Sequence, residues 1–74
     1  MLSPQTKGRE KARKEMAKRA IALVMESRWS DAVETNRMIV GEFPDDLEAY
    51  NRLGKALAEL GRNRDARAAF QRAL

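Results

Sequence analysis

The sequence predicts an all-α fold with four helices arranged as two antiparallel helix-turn-helix hairpins. In four stretches, apolar residues recur every three or four positions, as they do on one face of a helix. Breaks of only a few residues, rich in Ser, Gly, Asn and Pro, separate these stretches. No Asn-Gly or Asp-Gly pair and no sustained alternation of apolar and polar residues indicates a strand. Such short connections place consecutive helices side by side and antiparallel.

The first helix is expected to begin near residues 8–11 and to run to about Glu26. Before it, no apolar periodicity is visible, so residues 1–9 are predicted to form a flexible, basic N-terminal tail. The remainder, residues 10–74, is predicted to be a single helical domain. The apolar positions of the first helix are Ala12, Met16, Ala20 and Leu23.

The second helix is expected to start at Ser30, because a serine hydroxyl can cap the free amides of a first turn. Gly41 is expected to end it, and Pro44 prevents the helix from resuming. Hairpin one therefore covers residues 10–41. The apolar stripe of this helix contains Ala32, Val33, Ile39 and Val40, with the polar Asn36 among them.

Hairpin two is predicted over residues 46–74. Asp45 followed by Glu48 resembles a capping box that begins the third helix, and Gly61 is expected to end it. Asn63 is then the expected cap of the fourth helix. The apolar positions of these two helices are Leu47, Tyr50, Leu53, Gly54, Leu57, Leu60, Ala66, Ala69, Phe70, Ala73 and Leu74.

The composition of the 74-residue chain argues against several functional classes. Without cysteine or histidine there are no disulfides, no thiolate or imidazole metal ligands and no histidine base, so we expect no enzyme, no metal and no cofactor. The adjacent Asp45 and Asp46 fit helix capping better than a metal site. No apolar run is long enough to cross a bilayer and no secretory signal begins the chain, so the cytoplasm is the expected location.

The net charge of +4 is concentrated near the N-terminus. Seven basic and two acidic residues lie between Lys7 and Arg19, which gives this segment a charge of +5. A cluster of this kind can contact phosphates or anionic lipids. Nucleic acid nevertheless remains an unlikely partner on sequence grounds, because aromatic residues are few and no base-recognition motif occurs.

The two predicted hairpins match each other at an offset of 34 residues, as for Ala32 and Ala66 (66 − 32). Other pairs at this offset occupy core, small-residue and turn positions: Met16 and Tyr50, Ala20 and Gly54, Leu23 and Leu57, Ser27 and Gly61, and Trp29 and Asn63. An ordinary four-helix bundle has no reason to keep such an offset. A period of this length is typical of one class of helical repeat.

Hairpin two resembles a tetratricopeptide repeat (TPR), whose pattern it follows at Tyr50, Leu53, Gly54, Leu57, Ala66, Phe70 and Ala73. Hairpin one is less similar: it keeps Ala20, Ala32 and Pro44, but has Arg19 and Asn36 where Leu and an aromatic residue are usual. As a terminal repeat it has no preceding neighbour, so Arg19 and Asn36 are expected to face solvent. The resemblance implies two repeats, roughly 13–46 and 47–74, stacked as a short right-handed α-solenoid.

The resemblance also implies a function, a scaffold that binds a protein or peptide in the concave groove formed by the first helix of each hairpin. The groove residues it implies are Lys14, Ala17, Ile21, Val24, Glu48, Asn51, Arg52, Lys55 and Ala58. Ala17 and Ile21 occupy places where some members of the family use Lys and Asn to hold a C-terminal carboxylate, so a ligand of mixed apolar and polar character is expected instead. Trp29 is expected to pack between helices rather than to contact a ligand.

Two alternatives remain open at this point. Hairpin two lacks a polar outer face, so the chain can form a homodimer through an apolar edge made of Tyr50, Leu53, Leu57, Phe70 and Leu74. The basic N-terminal segment can instead bind nucleic acid or another anionic surface.

Overall fold

The computed structural model describes the backbone of residues 4–74 and the side chains of residues 8–74. Four helices follow one another: α1 (Pro4–Met25), α2 (Trp29–Glu42), α3 (Leu47–Glu59) and α4 (Asn63–Ala73). No strand occurs in residues 4–74, so the predicted all-α class is confirmed. None of these helices is both long enough and apolar enough to cross a membrane.

Helix α1 starts earlier than the sequence indicates. It begins at Pro4 rather than between residues 8 and 11, so residues 4–9 of the expected tail are helical. Proline fits the first turn of a helix because the amide it lacks would have no partner there. The rest of the expected tail, residues 1–3, lies outside the described part of the chain.

The turns inside the two hairpins have the same geometry. After α1, the amides of Ser27 and Arg28 donate to the carbonyls of Val24 and Leu23, at 3.0 and 2.9 Å. After α3, the amides of Gly61 and Arg62 donate to Ala58 and Leu57, both at 2.9 Å. Each pair of bonds forms a Schellman motif around a residue with positive φ, which is +57° at Ser27 and +78° at Gly61. The 34-residue correspondence seen in the sequence thus extends to the backbone hydrogen bonds.

The second helix of each hairpin, α2 or α4, starts one residue earlier than the sequence indicates. Neither helix has the side-chain cap that was expected. Helix α2 begins at Trp29, and neither Ser30 nor Asn63 is a capping residue. Arg28 and Arg62 occupy the N-cap positions, and neither makes a side-chain bond to the helix amides. The Schellman turn positions these residues by its backbone bonds, so the two predicted side-chain caps were wrong.

The connection between the hairpins also differs in detail from the prediction. Gly41 lies within α2, which continues to Glu42, and the amide of Phe43 donates to the Ile39 carbonyl at 2.7 Å. Asp46, rather than Asp45, caps α3, because its Oδ1 accepts a hydrogen bond from the Ala49 amide at 3.1 Å. Pro44 follows the end of α2, as predicted.

Each helix contacts its neighbour in the chain, and α1 also contacts α3. We refer to α1 with α2 as hairpin one and to α3 with α4 as hairpin two. The main core cluster draws on all four helices and contains Leu23, Ala32, Val33, Leu53, Ala56, Leu57, Ala66 and Ala69. A second cluster joins hairpin one to hairpin two through Ala20, Ile39 and Ala49. Trp29 is half-buried against the main cluster, as expected of a packing residue.

Small residues at matched positions of the two hairpins are buried. Ala20 and Ala32 are fully buried, Ala66 is nearly so, and Gly54 is buried as well. A β-carbon added to Gly54 would lie only 2.6 Å from Cε1 of Phe70. The Phe70 ring therefore occupies space that any other residue at position 54 would fill.

Asn36 does not face solvent as expected; its side chain is fully buried. Its Nδ2 donates to the Ala32 carbonyl at 2.8 Å, and its Oδ1 accepts from Nε of Arg52 at 2.9 Å. The amide is buried because Arg52, on the other hairpin, supplies the partner it would otherwise find in water. Arg19, by contrast, is exposed as predicted.

Candidate functional site

A groove runs between α1 and α3, on the face of the molecule where these two helices touch. It contains two adjoining depressions of about 320 and 360 Å³, and both are bordered by Glu48 and Arg52. The first depression is otherwise lined by charged and small side chains, namely Arg13, Lys14, Ala17, Asp45, Asp46 and Leu47. The second is otherwise lined by Ile21, Val24, Met25 and Asn51.

The second depression offers apolar surface to a ligand. Ile21 keeps 45% of its surface exposed and Met25 keeps 80%, while Val24 is half-buried beneath them. These residues are one helical turn apart on α1, so their side chains share one face. Asn51 is exposed on the opposite side of the groove and offers both hydrogen-bond donors and an acceptor.

The two sides of the groove carry opposite charges. On α1, Lys14 lines the first depression, and Lys11 and Lys18 lie one helical turn before and after it, outside the two depressions. All three are exposed and form no ion pair with any side chain of residues 8–74. We call these three residues the lysine bank. The carboxylates of Asp45, Asp46 and Glu48 line the same depression as Lys14, and we call them the acidic bank. One carboxylate oxygen of Asp46, Oδ1, accepts the hydrogen bond that caps α3, whereas the side chains of Asp45 and Glu48 are exposed.

Arg52 and Lys55 both contact neighbouring side chains. The Arg52 guanidinium is half-buried and held by its bond to Asn36, so its orientation is fixed. The Lys55 Nζ lies 5.6 Å from the centre of the Trp29 ring and 3.9 Å from a carboxylate oxygen of Glu59. A cation over an indole face is a favourable arrangement.

The structure gathers most of the predicted groove residues but not all of them. Seven of them line the two depressions: Lys14, Ala17, Ile21, Val24, Glu48, Asn51 and Arg52. Lys55 and Ala58 are exposed further along α3 and border neither depression.

Sequence reasoning missed five groove residues, which are Arg13, Met25, Asp45, Asp46 and Leu47. The signal for Met25 was present, since it lies one helical turn after Ile21. The two aspartates were interpreted only as helix caps, and that interpretation overlooked the groove they border.

The predicted self-association edge is largely absent as a surface. Leu53 and Leu57 are 7% and 1% exposed, because both belong to the main core cluster. Tyr50 is half-buried, with its hydroxyl 3.4 Å from Nη2 of Arg72. Of the five residues in that prediction, Phe70 at 40% and Leu74 at 100% are the exposed ones.

A separate cleft lies at the other side of α1, where Met16 and Met38 come together next to Phe43. Arg9 and Arg13 cover the Phe43 ring, with guanidinium carbons 5.1 and 5.5 Å from its centre. Arg9 also donates to the Glu42 carbonyl at 3.2 Å. These contacts attach the first turns of α1 to the end of α2.

In the described part of the chain, no group of three or more His, Cys, Asp or Glu side chains has the geometry to hold a metal ion. Comparison with protein-family models, with curated proteins and with solved structures gives no match to this chain.

Proposed function

We propose that this chain is a scaffold module that binds a segment of another protein in the groove between α1 and α3. The observation that carries the proposal is an exposed apolar strip, Ile21 with Met25, lying beside two banks of opposite charge. Peptide-binding sites combine apolar contact area with a few polar groups that fix orientation. The groove offers both.

The similarity of the two hairpins supports the further proposal that they stack as in a TPR. The hairpins share their turn geometry at an offset of 34 residues, and buried small residues occupy matched positions in both. Hairpins that repeat in this way form a short right-handed α-solenoid when each one packs on the next in the same manner. In such a stack the first helices of successive repeats lie side by side, and α1 and α3 are in contact here.

The arrangement of charge indicates what kind of segment fits. An apolar side chain would lie on Ile21 and Met25, an acidic group of the ligand would face the lysine bank, and a basic group would face the acidic bank. Complementary charges of this kind set orientation and partner choice more than affinity. A polyanion such as nucleic acid is a poorer fit, since the acidic bank would repel it.

Apolar contact at Ile21 is expected to supply a measurable share of the binding energy. Complete burial of an Ile side chain contributes about 1.5–3 kcal/mol. Nearly half of the Ile21 surface is still exposed, so a ligand that covers it gains roughly 1 kcal/mol from this residue. Placing a carboxylate there removes this gain and adds a desolvation cost.

The experiment is selection of peptides from a displayed random library on the folded protein, followed by calorimetric titration of the enriched peptides. We expect the peptides to share one apolar residue flanked by opposite charges, and Ile21→Glu to weaken their binding at least about tenfold, equivalent to 1.4 kcal/mol. The control variant is Glu34→Gln, because Glu34 is exposed on the side of α2 away from the core. Failure to enrich any peptide, or equal binding to Ile21→Glu and wild type, would contradict the proposal.

A further inference from the structure

Arg52 differs from the other cations of the groove in how firmly it is held. The cationic residues that border the two depressions are Arg13, Lys14 and Arg52. The side chains of Arg13 and Lys14 are exposed, whereas Arg52 is half-buried and its Nε donates to Oδ1 of Asn36 at 2.9 Å. Arg52 also borders both depressions. A ligand that covers the apolar surface of the groove therefore lies next to a cation of fixed orientation.

The orientation of Arg52 is set by Asn36, which is fully buried on α2. The Asn36 amide is itself held in place, because its Nδ2 donates to the Ala32 carbonyl at 2.8 Å while its Oδ1 accepts from Arg52. A side chain that is already ordered in the free protein loses less conformational entropy on binding than a mobile lysine does. Asn36 therefore prepares Arg52 for contact with a ligand.

Most of the hydrogen-bonding capacity of the Arg52 guanidinium is unused within residues 8–74. A guanidinium carries donors on Nε, Nη1 and Nη2, and the bond to Asn36 uses Nε. In the same residues, no side-chain nitrogen or oxygen is both buried and without a partner, so Nη1 and Nη2 are accessible to water. These two nitrogens present parallel N–H groups, which match the two oxygens of a carboxylate.

The surroundings of Arg52 favour a carboxylate as its ligand. Glu48 lies one helical turn before Arg52, yet no carboxylate of residues 8–74 forms an ion pair with the guanidinium. A cation that has lost part of its water is stabilised when an anion replaces that water through hydrogen bonds. The acidic bank borders the same depression and would repel a dianionic phosphate about twice as strongly as a carboxylate.

We propose that Arg52, oriented by Asn36, binds the side-chain carboxylate of an aspartate or glutamate in the bound segment. The carboxylate oxygens accept from Nη1 and Nη2, while Nε keeps its bond to Asn36. The acidic residue lies close in the ligand sequence to the apolar residue that covers Ile21 and Met25, because these two residues and Arg52 line the same depression. This role of Arg52 rests on the function proposed above, and Asn36, which acts through Arg52, is a positioning residue.

The probes are acetylated and amidated dipeptides, Glu-Leu and Leu-Glu, each compared with the dipeptide in which glutamine replaces glutamate. With both ends blocked, the glutamate side chain is the only carboxylate. NMR titration at constant ionic strength follows the methyl resonances of Ile21 and Met25 and the Nε–H resonance of Arg52. We expect at least one glutamate probe to shift all three and to bind at least about fivefold more tightly than its glutamine control.

Variants separate the contribution of Arg52 from that of net charge. Arg52→Lys keeps the charge but lacks the paired Nη donors, and it should reduce the preference for glutamate to below about twofold. Arg37→Gln removes a positive charge from an exposed position of α2 and should leave the preference unchanged. Asn36→Ala should reduce the preference without changing the affinity for the glutamine probes, an affinity that partial unfolding would lower. Circular dichroism checks that each variant is folded.

Several results would overturn the proposal. Equal affinity of the wild type for glutamate and glutamine probes would do so, and continued shifts at Ile21 and Met25 would then leave the groove itself in place. An unchanged preference in Arg52→Lys, or its loss in Arg37→Gln, would show that overall charge attracts the probe. Stronger displacement of the probe by inorganic phosphate than by acetate would contradict the choice of a carboxylate. An unchanged preference in Asn36→Ala would disprove the positioning role of Asn36.

Discussion

Hairpin one and hairpin two form the same backbone turn with different side chains. The turn of hairpin two places Gly61 at positive φ, where glycine is at no disadvantage, whereas hairpin one places Ser27 in the same conformation. Both turns close with the same pair of hydrogen bonds and the same guanidinium–carboxylate contact, Arg28 to Asp31 at 2.7 Å and Arg62 to Asp65 at 2.9 Å. Backbone bonding thus defines this repeat more strictly than residue identity does.

The hairpins also differ at one pair of matched positions, one on each of their two helices. In hairpin two, Gly54 makes room for the Phe70 ring. In hairpin one, the corresponding residues are Ala20 and Asn36, so a larger residue at the first position accompanies a smaller one at the second. The difference has a cause in the neighbours, because Asn36 meets Arg52 of α3 and Phe70 meets no further helix in residues 4–74.

The largest expected effect comes from enlarging a small contact residue of hairpin two. Gly54→Leu and Ala66→Leu should each destabilise the fold by up to about 3 kcal/mol, because the added atoms overlap packed side chains. At Gly54 even one added carbon meets the Phe70 ring. Urea unfolding followed by circular dichroism measures the change.

The control for that experiment is Gly41→Ala. Gly41 lies inside α2, and a β-carbon added there has no atom within 4 Å. This change should raise stability by roughly 0.5–1 kcal/mol, since alanine restricts the unfolded chain more than glycine does. If Gly54→Leu were as stable as wild type, close approach of α3 and α4 at Gly54 would be disproved.

An intermediate effect is expected at the contact between the hairpins. Asn36→Ala should cost about 1–2 kcal/mol, because it removes two hydrogen bonds from a buried site. Asn51→Ala, at an exposed position of α3, is the matched control and should have little effect. A double-mutant cycle with Arg52→Ala isolates the interaction free energy between Asn36 and Arg52. A coupling energy near zero would mean that this hydrogen bond does not help to hold the hairpins together.

The smallest effect is expected at the two turns, where exchanging the positive-φ residues should change stability in opposite directions. Ser27→Gly should stabilise the protein by about 1 kcal/mol, since a non-glycine residue in the left-handed region costs about 1–2 kcal/mol. Gly61→Ser should destabilise it by a similar amount for the same reason. Thermal melting of the two variants tests this, and two shifts in the same direction would refute the equivalence of the turns.

Helix number, order and small-residue positions could be predicted because they depend on periodicity within each helix. Helix starts could not, because the predictions at Ser30 and Asn63 assumed side-chain capping while the Schellman turns fix both starts through backbone bonds. A signal did exist. Arg28 and Asp31 recur as Arg62 and Asp65 at the repeat offset.

Burial proved harder to predict than helicity. Asn36 is polar, and its partner Arg52 lies on a different helix, so periodicity within α2 could not reveal the bond that allows its burial. Leu53 and Leu57 were predicted to contribute to an exposed edge because hairpin two lacks a polar outer face. Their helix, α3, contacts α2 on one side and α4 on the other, and both leucines therefore lie in the core.

The stacking of hairpin two on hairpin one creates the groove between α1 and α3, and nuclear Overhauser effects in solution test this stacking most directly. Packing of Ile39 with Ala49 predicts cross-peaks between their methyl groups, and the bond from Arg52 to Asn36 predicts cross-peaks between the Asn36 side-chain amide and the Arg52 Nε proton. A spectrum with the contacts inside each hairpin present and both of these contacts missing would show that the hairpins do not stack.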